Sequence, residues 1–398
     1  MRRLLGHIYQ RGKKGKSWTI MVDIGRDPTT GKRKQLSRAI RGTRTDAERA
    51  LARIVHEIDS GYIMPTDLTV ADFMRQWLRD YVTHGVGPVS AKGYKHWTEK
   101  HIIPSLGNLK LTQLQPSHIQ AFYRKMLENG RRDGKGALSP RSVLHVHRLL
   151  HNALSHAVKW GIIGRNVCEA VDPPRVRQKQ MRALDAEDVK RLLEASKDSI
   201  YYPIFHLAVF TGMRRSELLG LRWCDVDLDM ATLSVVQTLH CLSKGKIVFQ
   251  EPKSQKGKRQ IDLSPTAVIA LREHRQKQEV ERLMLGSTLT PDDLVFTNLD
   301  GTPLLPNSVT HAFIKTVRRL GLHGVRFHDL RHTHATILLR EGVNIKALQE
   351  RLGHSTITTT LDIYAHVTPG MQKEAALRFE EALLANVSNS RHNDLHRV

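Results

Sequence analysis

HDLRHTHAT, residues 328–336, decides how the rest of this chain is read. Placed on a helix, His328 and Arg331 stand three residues apart and share a face. An imidazole beside a guanidinium on one exposed face makes a phosphate clamp with a proton donor or acceptor. Metal binding is the competing reading, because His328 and His332 are one helical turn apart. HDLRH differs by one residue from the zinc-protease pattern, with Asp329 where that pattern carries glutamate. A charged Arg331 between two such ligands would oppose a dication, and no carboxylate-rich third element follows. The phosphate reading is the stronger one, and no metal or other cofactor is expected.

Upstream, TGMRRSELLGLRW (211–223) sets Arg214 in a G-x-R-x-x-E pattern directly after a helix break at Thr211 and Gly212. Arginine opposes the macrodipole in a first helical turn. Its position makes sense if Arg214 and the free N–H groups of the turn meet a phosphate together. Glu217 is placed to brace one of the arginines. Arg215 adjoins Arg214, and only the register of the pattern separates them. A plain surface salt bridge is the alternative for this motif alone. Between the two stretches, PKSQKGKRQIDL (252–263) puts Lys253 at the start of a basic two-strand hairpin. A lysine there can reach a minor groove and protonate a leaving oxygen. Downstream, LGHSTITTTLDIYAH (352–366) places His354 after a glycine turn and Tyr364 ten positions later, on a helix with Leu361. Arginines hold phosphate oxygens, histidine and lysine move protons, and tyrosine supplies an attacking oxygen. Together the six are what cutting a phosphodiester without a metal requires.

Composition narrows the class of partner. The 398 residues carry 62 Lys and Arg against 39 Asp and Glu, a net charge of +23. Such an excess favours a polyanion: DNA or RNA first, an anionic membrane second. Hydrophobic residues make up 40%, enough for globular cores, and the length predicts two or three domains. Cys168, Cys224 and Cys241 have no C-x-x-C spacing, which argues against a disulfide framework or a cysteine zinc site and fits a reducing compartment. The longest apolar run, YYPIFHLAVF (201–210), falls well short of the roughly 20 residues that span a bilayer. The opening MRRLLGHIYQRGKKGK has too short an apolar stretch for a secretory leader. GRDPTTGKR (25–33) misses the Walker pattern by one extra residue between its glycines and by lacking Ser or Thr after the lysine. A soluble, ATP-independent cytoplasmic protein is expected, with no membrane partner.

Four segments follow from patterning. Residues 1–61 read as sheet then helix. SWTIMVDIG (17–25) alternates as a strand does, DPTTG (27–31) turns, and KRKQLSRAI (32–40) returns. Thr45 and Glu48 read as the capping box of a helix whose stripe is Ala47, Leu51, Ile54, Val55 and Ile58. Arg11, Lys13, Lys14, Lys16, Lys32, Arg33 and Lys34 crowd the sheet. A basic sheet can enter a DNA groove; a solvated basic face is the bland alternative. Residues 66–172 read as a helical bundle, with one stripe at Val70, Phe73, Trp77, Leu78 and Tyr81. A long helix in it is opened by Ser139 and Pro140. VDPPRVRQKQMR (171–182), with Arg175, Arg177 and Lys179, suits a strap across a phosphate backbone or a plain linker. Residues 181–385 form the largest unit, mostly helical, with short strands at ATLSVVQTL (231–239), KIVF (246–249) and RQIDL (259–263). Residues 386–398 read as a frayed tail. The fold class is multi-domain α+β: a small N-terminal β-sheet plus helix module, an all-α bundle, and a mostly α domain with a small antiparallel sheet.

Arg214, Lys253, His328, Arg331, His354 and Tyr364 stand in the order Arg…Lys…His-x-x-Arg…His…Tyr. In this the chain resembles the tyrosine recombinase family, the integrases of temperate phages and conjugative transposons. The motifs carry the resemblance across residues 181–385. By architecture and order, residues 66–172 are similar to that family's core-site-binding domain and residues 1–61 to its arm-site-binding domain. The resemblance implies that Tyr364 attacks a DNA phosphorus, giving a 3′-phosphotyrosine and a free 5′-hydroxyl. It assigns proton acceptance to His328, the phosphate forks to Arg214 and Arg331, a hydrogen bond to His354, and leaving-group protonation to Lys253. It implies integration and excision of a mobile element at double-stranded DNA attachment sites by a homotetramer. Helpers would be an excisionase or a host DNA-bending protein, and the place of action a bacterial cytoplasm and its nucleoid. The segment with Ala375, Ala376, Leu377, Phe379, Ala382 and Leu383 would dock on a neighbouring subunit or on its own domain. Two other readings use the same residues: a type IB-like topoisomerase and a DNA-binding regulator with a lapsed fold. The basic N-terminal module opposes the first, and the intact set of six opposes the second.

Overall fold

A computed structural model of the chain describes residues 6–10, 17–26, 33–59, 67–131, 133–177, 183–242, 245–252, 254–364, 376–377 and 379–380. The chain divides into two compact units, Met1–Gln178 and Lys179–Val398. In the first, β1 (Gly6–Gln10), β2 (Ser17–Arg26) and β3 (Arg33–Arg41) form an antiparallel sheet in chain order. The period-two pattern of β2 sends Ile20 and Val22 to one face, where they meet Ile54 of α1 (Arg44–Asp59). The cap of α1 lies two residues earlier than the sequence reading placed it. Thr43 Oγ1 accepts the Asp46 N–H at 3.2 Å, and Asp46 Oδ2 accepts the Thr43 N–H at 2.9 Å. Thr45 is already inside the first turn, and Glu48 pairs with Arg44 instead.

The helical part begins with α2 (Val70–Trp77), whose N-cap Thr69 accepts the Asp72 N–H. A π-turn, Leu78–Val82, leads into α3 (Thr83–Gly85). Then α4 (Pro88–Trp97) runs through a second π-turn, Thr98–Ile102, into α5 (Ile103–Leu106). Pro104 offers no N–H to the turn before it, which fits the wider spacing there. α6 (Pro116–Asn129) and α7 (Pro140–Lys159) complete the set, α7 capped by Ser139 as its sequence indicates. Phe73, Trp77, Ile119, Tyr123, Leu149 and Leu150 are fully buried, each contributing roughly 2–3 kcal/mol of burial.

The second unit is built around α9 (Tyr202–Thr211), apolar on nearly every side, after α8 (Ala186–Ser196). Around it stand α10 (Arg215–Leu219), α11 (Pro265–Met284), α12 (Pro306–Arg319), α13 (Asp329–Arg340), α14 (Ile345–Leu352) and α15 (Ile357–Tyr364). Phe205, Phe313 and Phe327 interlock at centroid distances of 5.5–6.0 Å. The strands depart from expectation. β4 (Val226–Asp227), β5 (Thr232–Val235) and β8 (Arg259–Asp262) form one sheet; β6 (Thr238–Cys241) and β7 (Ile247–Gln250) form another. The expected strand over 231–239 is therefore split, and KIVF and RQIDL are not partners in one hairpin. The break at Val236 and Gln237 has a cause: Gln237 Nε2 donates to the Gly220 carbonyl at 2.9 Å. A Cβ on Gly220 would stand 3.0–3.1 Å from the backbone of Gln237, Thr238 and Leu239. Isolated bridges join Arg222 to Leu294 and Thr297 to Pro303. Among the described residues, no helix is long and apolar enough to cross a membrane.

Candidate active site

α9 stops because Gly212 adopts a left-handed φ of 66°. The chain turns through Met213 and enters α10 with Arg214 at the N-cap. Glu217, in the first turn of α10, reaches back. Its Oε2 accepts the Arg214 N–H at 2.9 Å, and its Oε1 accepts from Arg214 Nη1 at 2.6 Å. The backbone N–H of Arg214 is thus taken by a carboxylate, contrary to the expectation that it was free for a phosphate. Glu217 is 2% exposed and also accepts from Arg259 Nη2 at 2.9 Å. Burial disfavours its charge, but Arg259 and Arg214 hold its carboxyl below the usual range. Arg215 turns away: its Nη1 donates to the Pro306 carbonyl and to Thr310 Oγ1 on α12. Of the two adjacent arginines, Arg214 is the one in the cluster described next.

Arg331 was expected on an exposed face and is 3% exposed. Its Nη1 donates to the Gly212 carbonyl at 2.8 Å and its Nη2 to the Leu352 carbonyl at 2.6 Å. These oxygens belong to the C-terminal ends of α9 and α14, where helices leave carbonyls unpartnered. Among the described residues these two carbonyls are its hydrogen-bond partners, out of a capacity of five N–H donors. Burial and then Arg214 lower its pKa, with Glu217 opposing. The guanidinium stays charged at neutral pH all the same.

His328 sits at the N-cap of α13 with its ring perpendicular to His332, centroids 5.1 Å apart. Its outer edge is open, yet dense protein on the other sides, then His332 and Arg331, push it down to about 4. Asp329 is buried and committed to Arg326, accepting its backbone N–H at 2.8 Å and pairing with its guanidinium. Among the described residues, no group of three His, Cys, Asp or Glu could hold a metal ion.

His354 follows Gly353, which takes φ 66° at the end of α14. It is 6% exposed. Its Nδ1 lies 2.9 Å from Thr360 Oγ1 on α15, and its backbone is held by Gln349. Burial, then Arg331, Arg214 and Arg259, push its pKa down to about 3. Tyr364 is the last residue of α15, which packs on α13 and α14; its side chain lies outside the described residues. So does Lys253.

The structure therefore gathers Arg214 and Arg331 within electrostatic reach of both His328 and His354, with Glu217 and Arg259 bonded to Arg214's side of the cluster and Gln349 and Thr360 bonded to His354. Arg259 was missed, although its signal was present. It shares a strand face with Ile261, which is 1% exposed, and arginine on a buried face demands a partner. Of the basic residues named from sequence, Arg33 is exposed and paired with Asp23 at 2.6 Å. Arg175 and Arg177 are exposed. Arg11, Lys13, Lys14, Lys16, Lys32, Lys179 and the Lys34 side chain lie outside the described residues. A groove of about 430 Å³ between α2 and α4, lined by Arg75, Arg79, Lys92 and Lys95, had not been anticipated. A wider groove of about 900 Å³ beside Trp223 holds Asp225, Asp227, Asp229 and Glu279 and none of the six residues. Of the segment expected to dock, Ala376, Leu377 and Phe379 are helical and exposed; Ala375, Ala382 and Leu383 lie outside the described residues.

Comparison with known proteins identifies the family. Residues 182–371 match the phage integrase family, residues 69–127 its N-terminal SAM-like domain, and residues 7–58 an arm DNA-binding domain. A tyrosine recombinase XerC-like protein of Caldanaerobacter subterraneus subsp. tengcongensis is 29% identical over 91% of this chain and 96% of its own length. The Tn1549 transposon integrase, solved in complex with a circular-intermediate DNA, superposes with TM-score 0.66 at 22% identity, covering 78% of this chain and 99% of that one. A lambda integrase tetramer bound to a Holliday junction gives 0.55 at 20% identity, covering 89% of this chain and 94% of that one. This chain belongs to the phage integrase family of tyrosine recombinases.

Proposed function

We propose that this protein is a site-specific DNA recombinase that integrates and excises a mobile element through a 3′-phosphotyrosine intermediate. The observation that carries the reading is the cluster of Arg214, held by Glu217, and Arg331, held by two helix-end carbonyls, with His328 and His354 beside them. Tyr364 is the nucleophile. A phenol has a pKa of about 10, so it loses its proton as it attacks, and neutral His328 accepts it. The P–O bond to the 5′-oxygen breaks as the P–O bond to Tyr364 forms. Charge gathers on the non-bridging oxygens, where Arg214 and Arg331 receive it. With the Thr360 hydroxyl donating to Nδ1, His354 carries its proton on Nε2 and adds a hydrogen bond. Lys253 protonates the leaving 5′-oxygen. The phosphodiester's energy stays in the tyrosyl ester, so rejoining needs no nucleotide.

In this reading residues 1–61 bind arm sites, residues 66–172 the core site, and residues 181–385 carry the chemistry. The groove at Arg75, Arg79, Lys92 and Lys95 supplies phosphate contacts. Four subunits act on two duplexes, as the lambda tetramer on its junction supports. An excisionase or host DNA-bending protein sets direction, and the work is done in a bacterial cytoplasm. Incubation with nicked half-site DNA tests the reading. Wild type forms a covalent adduct mapping to Tyr364 and insensitive to EDTA. Tyr364→Phe binds the DNA with unchanged affinity and forms none. Adducts at another residue, or loss of turnover with EDTA, would falsify it.

A further inference from the structure

Glu217 poses a problem for the site. It aims Arg214 through two hydrogen bonds, at 2.9 Å and 2.6 Å. Yet a buried carboxylate paired one-to-one with Arg214 would also cancel the charge that a DNA phosphate needs. The structure holds a third member. Arg259, its side chain 6% exposed, donates from Nη2 to Glu217 Oε2 at 2.9 Å. Its Nε donates to the Arg351 carbonyl at 2.7 Å and its Nη1 to the Gly257 carbonyl at 3.2 Å. Each nitrogen of its guanidinium donates to a protein acceptor, and Arg214, at 36% exposed, is the more open of the two arginines on Glu217.

We propose that Arg259 is a positioning residue that neutralises Glu217, so that Glu217 can orient Arg214 without cancelling its charge. The charges of the three sum to +1, and the surplus sits on the member with open surface. Without Arg259 the sum is zero, and Glu217 draws Arg214 inward. The same geometry gives Arg259 a second, lesser effect. By holding the Arg351 carbonyl, it fixes the last turn of α14, from which Gly353 and His354 follow.

This inference rests on the recombinase reading, and its test separates the two. Single-turnover cleavage is measured at saturating half-site DNA, at a temperature where circular dichroism shows every variant folded. Arg259→Met should slow cleavage about 100-fold, the scale of losing one preorganised charge contact, with DNA affinity changed less than about threefold. Arg259→Lys keeps the charge and should stay within about tenfold of wild type. Adding Glu217→Gln to Arg259→Met removes the uncompensated carboxylate and should restore about tenfold. A methylphosphonate at the scissile position carries no charge to neutralise. On it Arg259→Met should lose less than about fivefold. Equal losses on both substrates, a Lys variant as slow as Met, or a double variant slower than the single one each overturn the inference. No adduct from wild type overturns the recombinase reading, and the inference with it.

Discussion

Arg331 holds two helix ends, and the proposed mechanism asks the same guanidinium to meet a phosphate. Arg331→Ala leaves the Gly212 and Leu352 carbonyls buried without donors, a cost of roughly 1–3 kcal/mol each. It also removes the phosphate fork that the proposed mechanism assigns to Arg331. Urea unfolding should show a loss of about 2–5 kcal/mol, and single-turnover cleavage a loss of at least about 100-fold. Cleavage at the wild-type rate would refute the chemical role. His334 shows a related economy on the next turn of α13. Its Nδ1 donates to the Val209 carbonyl, and its Nε2 accepts from Arg351 Nε at 3.1 Å. That pattern requires the neutral ring. Burial, then the Arg351 charge, push its pKa down to about 4, against the Val209 bond. The folded value lies below the unfolded one of about 6.5, so the unfolded chain binds more protons between those values. The stability contribution is complete above about pH 6.5 and shrinks as pH falls toward 4, by on the order of 1–2 kcal/mol at pH 5. Thermal unfolding at pH 7.5 and 5.0 should show a drop to which His328 and His354 also contribute, and His334→Gln should lessen it.

The turns that end helices place the active-site residues. Gly212 and Gly353 both take φ 66°, and a Cβ would meet His334 Cδ2 at 2.7 Å in the first case and the Lys256 carbonyl at 2.9 Å in the second. Gly134 has a similar φ, 69°, with open space around it. Gly134→Ala should therefore cost only the left-handed strain, about 1–2 kcal/mol. Gly353→Ala should cost more and should also displace His354, slowing cleavage about tenfold or more. Chemical denaturation and cleavage of the two variants side by side decide this; equal behaviour would show that the contact at Gly353 is unimportant. These turns were legible, because glycine after an apolar helix has few other uses. So were α7, through Ser139 and Pro140, and the stripe at Phe73 and Trp77. The pairing of strands was not. Alternation over 231–239 is a property of single strands and says nothing about which neighbour each half meets. The approach of Gly220 to the Gln237 backbone, which breaks that run, is a contact between segments 17 residues apart.

At the scale of the whole molecule, the net charge of +23 predicts DNA binding that weakens steeply with salt. For about 6–10 phosphate contacts, affinity falls roughly 10³- to 10⁵-fold between 50 and 200 mM. If the groove at Arg75 and Arg79 touches phosphates, changing both to Ala should lessen the log–log salt slope by about 2. An unchanged slope would remove that groove from the interface. The order of modules, the α+β class, the excess of positive charge and the spacing of the six residues are legible in one dimension. These are local or compositional properties, written in periodicity, caps and motif register. Only the tertiary structure decided that Arg331 is buried between two helix ends, that Arg215 leaves the cluster for α12, and that Arg259 shares Glu217 with Arg214. Those facts depend on carbonyls and carboxylates brought together from distant segments. One-dimensional pattern carries no record of which polar group will satisfy which.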